Sequence, residues 1–369
     1  MRIAFVGGGT GGHFYPLIAT AESLRQSGTP LELFYIGPNP YNPSELAAND
    51  IKHLYCPAGK MRRYFSFKNV IDIFRTIGGF FVAMYQLFVW YPDVVFSKGG
   101  YTSVPVLLAA RFYRIPVVIH ESDSKPGRAN LLARKFARYI GIAYEEVARY
   151  FPADKIALIG IPIRNVIKHI DPDPFTSLGI SRDIPLIYVT GGSLGADRIN
   201  NLILRSLKVL LPQFQIFHQT GTELEKNVIQ TAQALINDPL LLGRYYVRGS
   251  VDARTVSTLY DAAAIIISRA GSTTLFEIAL HGKPSIIIPI PEEVSHDQRT
   301  NAYAYARSGA ASVLEEGNLT DNLLVAEIQS IMSNHDKYYA MSTAARAFAK
   351  PNAAAAVASA LINIGNEHA

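Results

Sequence analysis

Residues 2–16 read RIAFVGGGTGGHFYP, five residues of strand-like apolar sequence running into five glycines, Thr10 and His13. Glycines at such a turn let backbone N–H groups converge, and a helix starting there adds its positive end, so a phosphate or similar anion is favoured. Gly7, Gly9 and Gly12 formally satisfy G-x-G-x-x-G. The second strand-like run, LELFYIGPNP, however, ends in Gly37 and Pro38, where a dinucleotide site would carry an acid for the ribose. The lysine of a Walker A loop is missing too. A second loop, GGSLGA at 191–196, opens the other half of the chain in the same way. Either loop alone could simply turn a strand into a helix; two at matching places favour the anion reading. His13 falls at a helix start, where the positive helix end disfavours an imidazolium and depresses the pKa. A neutral imidazole there could accept a proton near neutral pH, although position alone fits a capping or packing histidine equally well.

A third stretch, SRAGSTTLFEIALHGKPSIIIPIPEEVSHDQRTNA at 268–302, places a strand end at Ser268 and a helix start at Gly271-Ser272-Thr273. Glu277 lies on the same helix face as Thr273, roughly 7.5 Å along the axis from Ser272. That spacing suits a diphosphate at the helix end and a carboxylate holding two ribose hydroxyls. A plain cap with a surface glutamate would leave the following HDQRTNA without a purpose. No Asp-x-Asp stands at a strand end to chelate a metal diphosphate; the Asp-Pro-Asp at 171–173 lies between the halves. His218, His281 and the pairs Glu145-Glu146 and Glu292-Glu293 read as surface or packing features.

The elements that must position these residues are strand-like runs alternating with amphipathic stretches: RIAFV, LELFYIG, DVVFS and PVVIH, then PLIYVTG, QIFHQTG, AAIIIS and PSIIIP. Continuous β-branched runs between helical segments indicate parallel sheets with crossover helices. The expected class is α/β with two doubly wound, Rossmann-like domains facing a cleft at the carboxyl ends of their strands. The expected division is a first domain over 1–163, a Pro- and Asp-rich linker over 164–184 and a second domain over 185–345. A last helical segment over 346–369, broken at Pro351, could pack back on the first domain. The 369-residue length and 49% hydrophobic composition agree with two full cores.

The single cysteine, Cys56, allows no internal disulfide, and the N-terminus lacks a signal-peptide pattern, so the expected compartment is cytosolic. The net charge of +5 is uneven: residues 1–163 carry 18 Lys and Arg against 11 Asp and Glu. A basic half suits an anionic substrate or membrane surface; without RNA-binding aromatic, arginine-glycine or zinc-ligand patterns, nucleic acid is not an expected partner. Residues 59–95 place Lys60, Arg62, Arg63, Lys68 and Arg75 ahead of an uncharged stretch over 76–92. Two glycines, Gln86, Pro92 and the strand that follows argue against a transmembrane span. An interfacial helix docking on anionic lipid is favoured over a purely core helix.

Together with FSKGGYTSVP (96–105), HESDSKPGRAN (120–130) and GIPIR (160–164), these blocks run in order along essentially the whole chain. In that ordered set the chain resembles the MurG family of glycosyltransferases (glycosyltransferase family 28), which add N-acetylglucosamine to the lipid-linked muramoyl precursor of peptidoglycan. The resemblance implies a GT-B architecture, with the polyprenyl-diphosphate acceptor, lipid I, on the first domain and UDP-GlcNAc mostly on the second. It also implies a peripheral enzyme on the inner face of the plasma membrane, making lipid II without a cofactor or an essential divalent metal. Thr10, Gly11 and Gly12 would contact the donor, and the glycine loop would also lie near the acceptor diphosphate. Tyr101 and Asp123 would line the substrate site, Arg164 and Ser193 would hold the UDP phosphates, and the Val251 backbone would read the uracil edge. Ser272, Thr273, Thr274, Leu275, Phe276 and Glu277 would take phosphate and ribose, and Asp297 and Gln298 the sugar hydroxyls. An inverting transfer would use His13 as base, with Asp123 as its rival.

The chain departs from the family pattern in three places: Ser122-Asp123 where Gln-Asn is common after His-Glu, Ile161 where Asn is common before Pro-x-Arg, and Asp297 where Gln is common. Other readings are a transferase of the same architecture with a diacylglycerol or natural-product acceptor, a UDP-GlcNAc 2-epimerase, and a non-catalytic nucleotide-sugar-binding subunit. Nothing in the sequence sets an oligomeric state.

Overall fold

The computed structural model describes residues 1–60, 67–192, 196–292 and 297–368. The chain divides into two compact units, Met1–Asn165 with Lys350–Ala369, and Val166–Ala349.

In the first unit seven parallel strands run β1 (Arg2–Val6), β2 (Glu32–Gly37), β3 (Ile51–Tyr55), β4 (Val94–Ser97), β5 (Val117–Glu121), β6 (Tyr139–Ile142) and β7 (Ile156–Leu158). Their order in the sheet is β3-β2-β1-β4-β5-β6-β7, so the direction of winding reverses between β1 and β4. β4 and β5 are buried along their whole length and β1 from its second residue, as near-continuous apolar runs require of central parallel strands. The second unit repeats the plan with β8 (Leu186–Thr190), β9 (Gln215–Gln219), β10 (Tyr245–Arg248), β11 (Ala263–Ser268), β12 (Ser285–Ile287) and β13 (Ala311–Val313). These are ordered β10-β9-β8-β11-β12-β13, with the reversal between β8 and β11. All eight expected strands are present. Of the further five, β3, β7, β10 and β13 are the outermost strands of their sheets, where half-exposed residues break the apolar run.

Residues 166–184, expected as a linker, belong to the second unit. The Ser257 hydroxyl donates to Ile167 O at 3.0 Å and His169 O at 2.7 Å, and Thr258 donates to Asp171 at 3.1 Å. The short helix Pro174–Leu178 within this stretch is capped by Asp173 and closed by Gly179 in the left-handed region. The segment expected over 346–369 is also divided differently. Helix His335–Phe348 stays in the second unit, and helix Ala353–His368 starts beyond Pro351 and belongs to the first. There Val357, Ala358, Leu361 and Ile364 join Phe14, Leu17 and Leu24 of the first helix (Gly11–Gln26) in one buried cluster. Packing decides this allegiance, since the helix buries its apolar stripe against the first helix and against β1 and β4.

His218 on β9 is fully buried, with Nδ1 2.6 Å from Tyr245 Oη and Nε2 3.0 Å from Asn200 Oδ1. Because Asn200 Nδ2 donates to Thr220 O, its Oδ1 accepts, so His218 Nε2 carries the proton and Nδ1 accepts from the tyrosine. Burial lowers this imidazole from 6.5 to about 3. The unfolded chain therefore takes up a proton below pH 6.5 that the folded chain refuses, and stability falls with falling pH. Between pH 7.0 and 4.5 the wild-type chain is expected to lose about 2–3 kcal/mol more than His218→Gln, as read from urea unfolding at both pH values.

Candidate functional site

In the first unit the switch point lies between β1 and β4, and both strands end in glycine turns. Residues 7–9 leave β1, and Lys98 N–H extends the ladder by donating to Val6 O at 2.9 Å before Gly99 and Gly100 turn away. Gly8 has φ +155°, and a Cβ there would meet the Tyr35 hydroxyl at 2.3 Å, so the turn closes down on a buried tyrosine. Gly99, at φ +79°, lies against the Asn130 side chain, where a Cβ would come within 2.9 Å. Tyr101 follows this second turn and flanks Gly9.

The first helix begins inside this turn. Thr10 is its N-cap in extended conformation, but its hydroxyl pairs with His13 Nδ1 at 3.0 Å rather than capping a backbone amide. Gly11 and Gly12 fall in the same first turn. Burial lowers the His13 pKa, the nearby Asp123 carboxylate pulls it back up, and the Lys98 ammonium lowers it further. The lowering expected of a helix start is thus present, but desolvation is its largest cause. The two candidate bases, His13 and Asp123, lie within electrostatic reach of each other.

Beneath them sits a buried polar cluster. Lys98 is 1% exposed, and its Nζ contacts His120 Nδ1 and Ser122 Oγ. His120 Nε2 lies 2.7 Å from Gly160 O and so carries the proton, leaving Nδ1 as a lone pair facing the lysine. Glu121 accepts from Asp123 N at 3.1 Å, Gly127 N at 2.9 Å and Asn130 Nδ2 at 2.9 Å. Burial pushes Glu121 up to about 7, with the Asp123 charge adding to it and the three hydrogen bonds opposing. Burial pulls Lys98 down to about 7 against the attraction of Glu121 and Asp123, and holds the His120 imidazole neutral with help from Lys98. Sequence reasoning assigned no role to Lys98, His120, Glu121 or Asn130. The available signal was a lysine closing the buried run DVVFS and an acid closing PVVIH, since ionisable side chains at such positions must find partners.

In the second unit the switch point between β8 and β11 carries the other two stretches. Gly192 N–H donates to the Thr190 hydroxyl at 3.2 Å as the chain leaves β8; Ser193 lies outside the described residues. β11 ends at Ser268, Gly271 caps helix Ser272–Leu280, and Ser272, Thr273 and Thr274 form its first turn. Leu275 and Phe276 do not face the turn. Leu275 donates its amide to Gly271 O, its side chain is in the core, and the buried Phe276 ring packs 4.8 Å from Phe348. Both are packed into the interior, and Phe276 ties the helix to helix His335–Phe348. Glu277 is partly exposed and accepts from the buried Tyr260 hydroxyl at 3.1 Å. Val251 links β10 to the Asp252 cap of helix Ala253–Ala262. Asp297 caps helix Gln298–Arg307, and the Gln298 amide oxygen accepts from Ile290 N at 3.3 Å.

Arg164 ends the GIPIR stretch. It sits in the first unit, 11% exposed, bonded to Glu45 at 3.0 Å and stacked 3.8 Å above the Tyr15 ring. Its charge is met within that unit, by a carboxylate and an aromatic face.

The helix Phe67–Trp90 presents a second kind of surface. Ala83 and Leu87 lie in the core of the first unit, while Phe74, Ile77, Phe81, Tyr85 and Phe88, spaced three or four apart, are exposed. Phe74, Phe81 and Phe88 are 68%, 66% and 68% exposed, and only 17% of the apolar window within Ile71–Trp90 is buried. Arg75, Arg111 and Arg114 are exposed on this helix and the one beside it or just beyond its end.

Asn130 joins the strand end to the turn, donating to His120 O at 3.1 Å as well as to Glu121. Asn130→Ala removes both bonds and leaves buried acceptors short of a donor. It is expected to lower stability by about 1–3 kcal/mol in urea unfolding at pH 7.

The comparisons with known proteins bear on the family and the fold. The model of the glycosyltransferase family 28 N-terminal domain matches residues 3–142, and that of the family 28 C-terminal domain matches residues 186–357. The chain is 36% identical over 343 residues to UDP-N-acetylglucosamine--N-acetylmuramyl-(pentapeptide) pyrophosphoryl-undecaprenol N-acetylglucosamine transferase 3 of Bacillus thuringiensis (strain Al Hakam), covering 91% of this chain and 93% of that protein. The crystal structure of MurG from Acinetobacter baumannii superposes with a TM-score of 0.76 at 27% identity, covering 98% of this chain and 99% of that one. UDP-GlcNAc 2-epimerase from Neisseria meningitidis superposes with a TM-score of 0.68 at 17% identity, covering 98% of this chain and 100% of that one, a likeness of fold alone. With both domain models matched in order and more than a third of its residues shared over nearly the full length of a named relative, the chain belongs to the MurG family of glycosyltransferases, family 28.

Proposed function

We propose that the protein transfers N-acetylglucosamine from UDP-GlcNAc to the C4 hydroxyl of the muramoyl sugar of a polyprenyl-diphosphate-linked muramoyl-pentapeptide, lipid I, with inversion at C1. The observation that carries this reading is the ordered match of both family 28 domain models to a chain whose first helix brings His13 to the glycine-lined switch point. In the reaction the acceptor oxygen bonds to sugar C1 as the bond from C1 to the β-phosphate oxygen breaks, and UDP leaves from the opposite face. The hydroxyl proton goes to His13 Nε2, because Nδ1 is engaged by Thr10. The lowered pKa keeps the ring neutral and able to accept, and the Asp123 carboxylate stabilises the imidazolium once the proton arrives. Charge building on the diphosphate is met by the amide end of helix Ser272–Leu280, and Glu277 holds ribose hydroxyls. Asp297 and Gln298 read the sugar, with no divalent metal required.

The test is UDP release by the purified protein with and without a short-chain muramoyl-pentapeptide diphosphate lipid, with the product identified by mass. Acceptor-dependent release of UDP and a disaccharide product, unchanged by a chelator, are expected. His13→Gln should cut kcat by about 10²–10⁴-fold while still binding donor. Acceptor-independent conversion of UDP-GlcNAc would replace this reading with the epimerase one.

We also propose that the exposed stripe of helix Phe67–Trp90 docks the protein on the inner face of the plasma membrane. Aromatic side chains would enter the acyl boundary, and Arg75, Arg111 and Arg114 would meet anionic headgroups. A spanning arrangement would pull Ala83 and Leu87 out of the core. The triple change Phe74→Ser, Phe81→Ser and Phe88→Ser should weaken sedimentation with phosphatidylglycerol vesicles by about tenfold or more, with an unchanged melting temperature because these rings are already in solvent. Full vesicle binding by that variant would sink the docking assignment.

A further inference from the structure

We propose that Tyr260 is a positioning residue for the donor nucleotide: its buried hydroxyl donates to one oxygen of the Glu277 carboxylate and holds that carboxylate in the orientation that takes the ribose hydroxyls. The inference deepens the functional reading above and rests on it.

Glu277 lies in the second turn of helix Ser272–Leu280 and is partly exposed, so several staggered rotamers are open to its side chain. A carboxylate that must accept from two neighbouring hydroxyls binds best when its rotamer is chosen before the ligand arrives, because ordering a side chain on binding costs affinity. Tyr260 makes that choice. It comes from the helix Ala253–Ala262, is buried, and places Oη 3.1 Å from Glu277 Oε2. Burial, with the Glu277 charge adding to it, holds the phenol protonated well above its ordinary value, so the hydroxyl stays a donor at neutral pH.

The tyrosine is itself fixed by rings on two sides. Tyr188 of β8 meets it edge-on with centroids 5.8 Å apart. His281, one turn beyond Glu277 on the same helix face, has its ring 5.2 Å away. Those rings are anchored in turn. Tyr188 Oη donates to Gln219 Oε1 at 2.7 Å, and His281 Nδ1 and Nε2 lie 2.7 Å from Asp261 Oδ1 and 2.9 Å from Ile167 O. The phenol therefore points at Glu277 from a rigid seat. A phenylalanine would make the same ring contacts, so packing does not call for the hydroxyl. The carboxylate does.

The test measures binding of UDP and of 2′-deoxy-UDP to the full chain by calorimetry, for wild type, Tyr260→Phe, Glu277→Gln and the double variant, with melting temperatures in parallel. Tyr260→Phe keeps the rings and removes one oxygen. Wild type is expected to favour UDP by about tenfold, since the 2′-hydroxyl donates to a charged acceptor. In folded Tyr260→Phe, UDP should bind about fivefold more weakly and 2′-deoxy-UDP about as before, so that the preference drops to about twofold. Glu277→Gln should lose the preference as well, and the double variant should bind UDP no more weakly than the weaker single one, because the two residues act through one contact. Equal weakening of both nucleotides in Tyr260→Phe overturns the proposal, since a merely structural tyrosine would do that. An undiminished preference in that variant, or its failure to fold, overturns it too. Wild-type protein that does not tell the two nucleotides apart overturns the ribose assignment of Glu277 and the role of Tyr260 with it. Protein that tells them apart but gives no acceptor-dependent UDP release overturns the transfer reading alone, and the fall in preference still supports Tyr260.

Discussion

The first unit is organised around a lysine ammonium buried at the carboxyl end of β4. A cation removed from water must be met by acceptors and by opposite charge, and the surrounding chain is arranged to do both. β5 ends one strand over, so His120 and Ser122 can accept while Glu121 and Asp123 supply negative charge. Glu121 would itself be unstable as a buried carboxylate. Two backbone amides and the Asn130 amide hold it, and in doing so they shape the turn from 121 to 127. The glycines on β1 and β4 then let the backbones close over the cluster, leaving His13 and Asp123 at its edge.

The same reversal of winding recurs in the second unit with different chemistry. There the strand ends lead to a helix whose first turn is made of serine and threonines, followed by a glutamate steadied by Tyr260. One unit concentrates titratable side chains at its switch point; the other presents a helix end and small polar groups. Proton transfer requires groups with adjustable pKa values, whereas a diphosphate requires oriented dipoles that need not titrate. The division of labour in the proposed glycosyl transfer follows that difference.

The helix Phe67–Trp90 has two unlike faces. Its inner face, with Ala83 and Leu87, completes the core beside β4, so the sheet holds it in place. Its outer face keeps large aromatic rings in solvent, an arrangement with no stabilising role in an isolated unit. In the docking proposed above, that face carries the site to an acceptor anchored in lipid.

The sequence by itself determined the central strands, the glycine turns and the membership of the family. Buried parallel strands demand unbroken apolar runs, and anion-binding turns demand glycine, so both are written locally. It could not show β3, β7, β10 and β13, because outermost strands are half exposed and carry no continuous pattern. Only the tertiary structure decided that residues 166–184 fold onto the second unit while helix Ala353–His368 returns to the first. Allegiance depends on which distant surface buries each apolar stripe. The site divides in the same way. His13 and Asp123 could be named as rival candidate bases from the glycine motif and the family resemblance, whereas Lys98, His120, Glu121 and Asn130 acquired meaning only once β4 and β5 lay side by side. Arg164, legible as a phosphate ligand, is bound to Glu45 and Tyr15. Burial, charge pairing and pKa belong to groups brought together from separate strands, and no single stretch of sequence contains them.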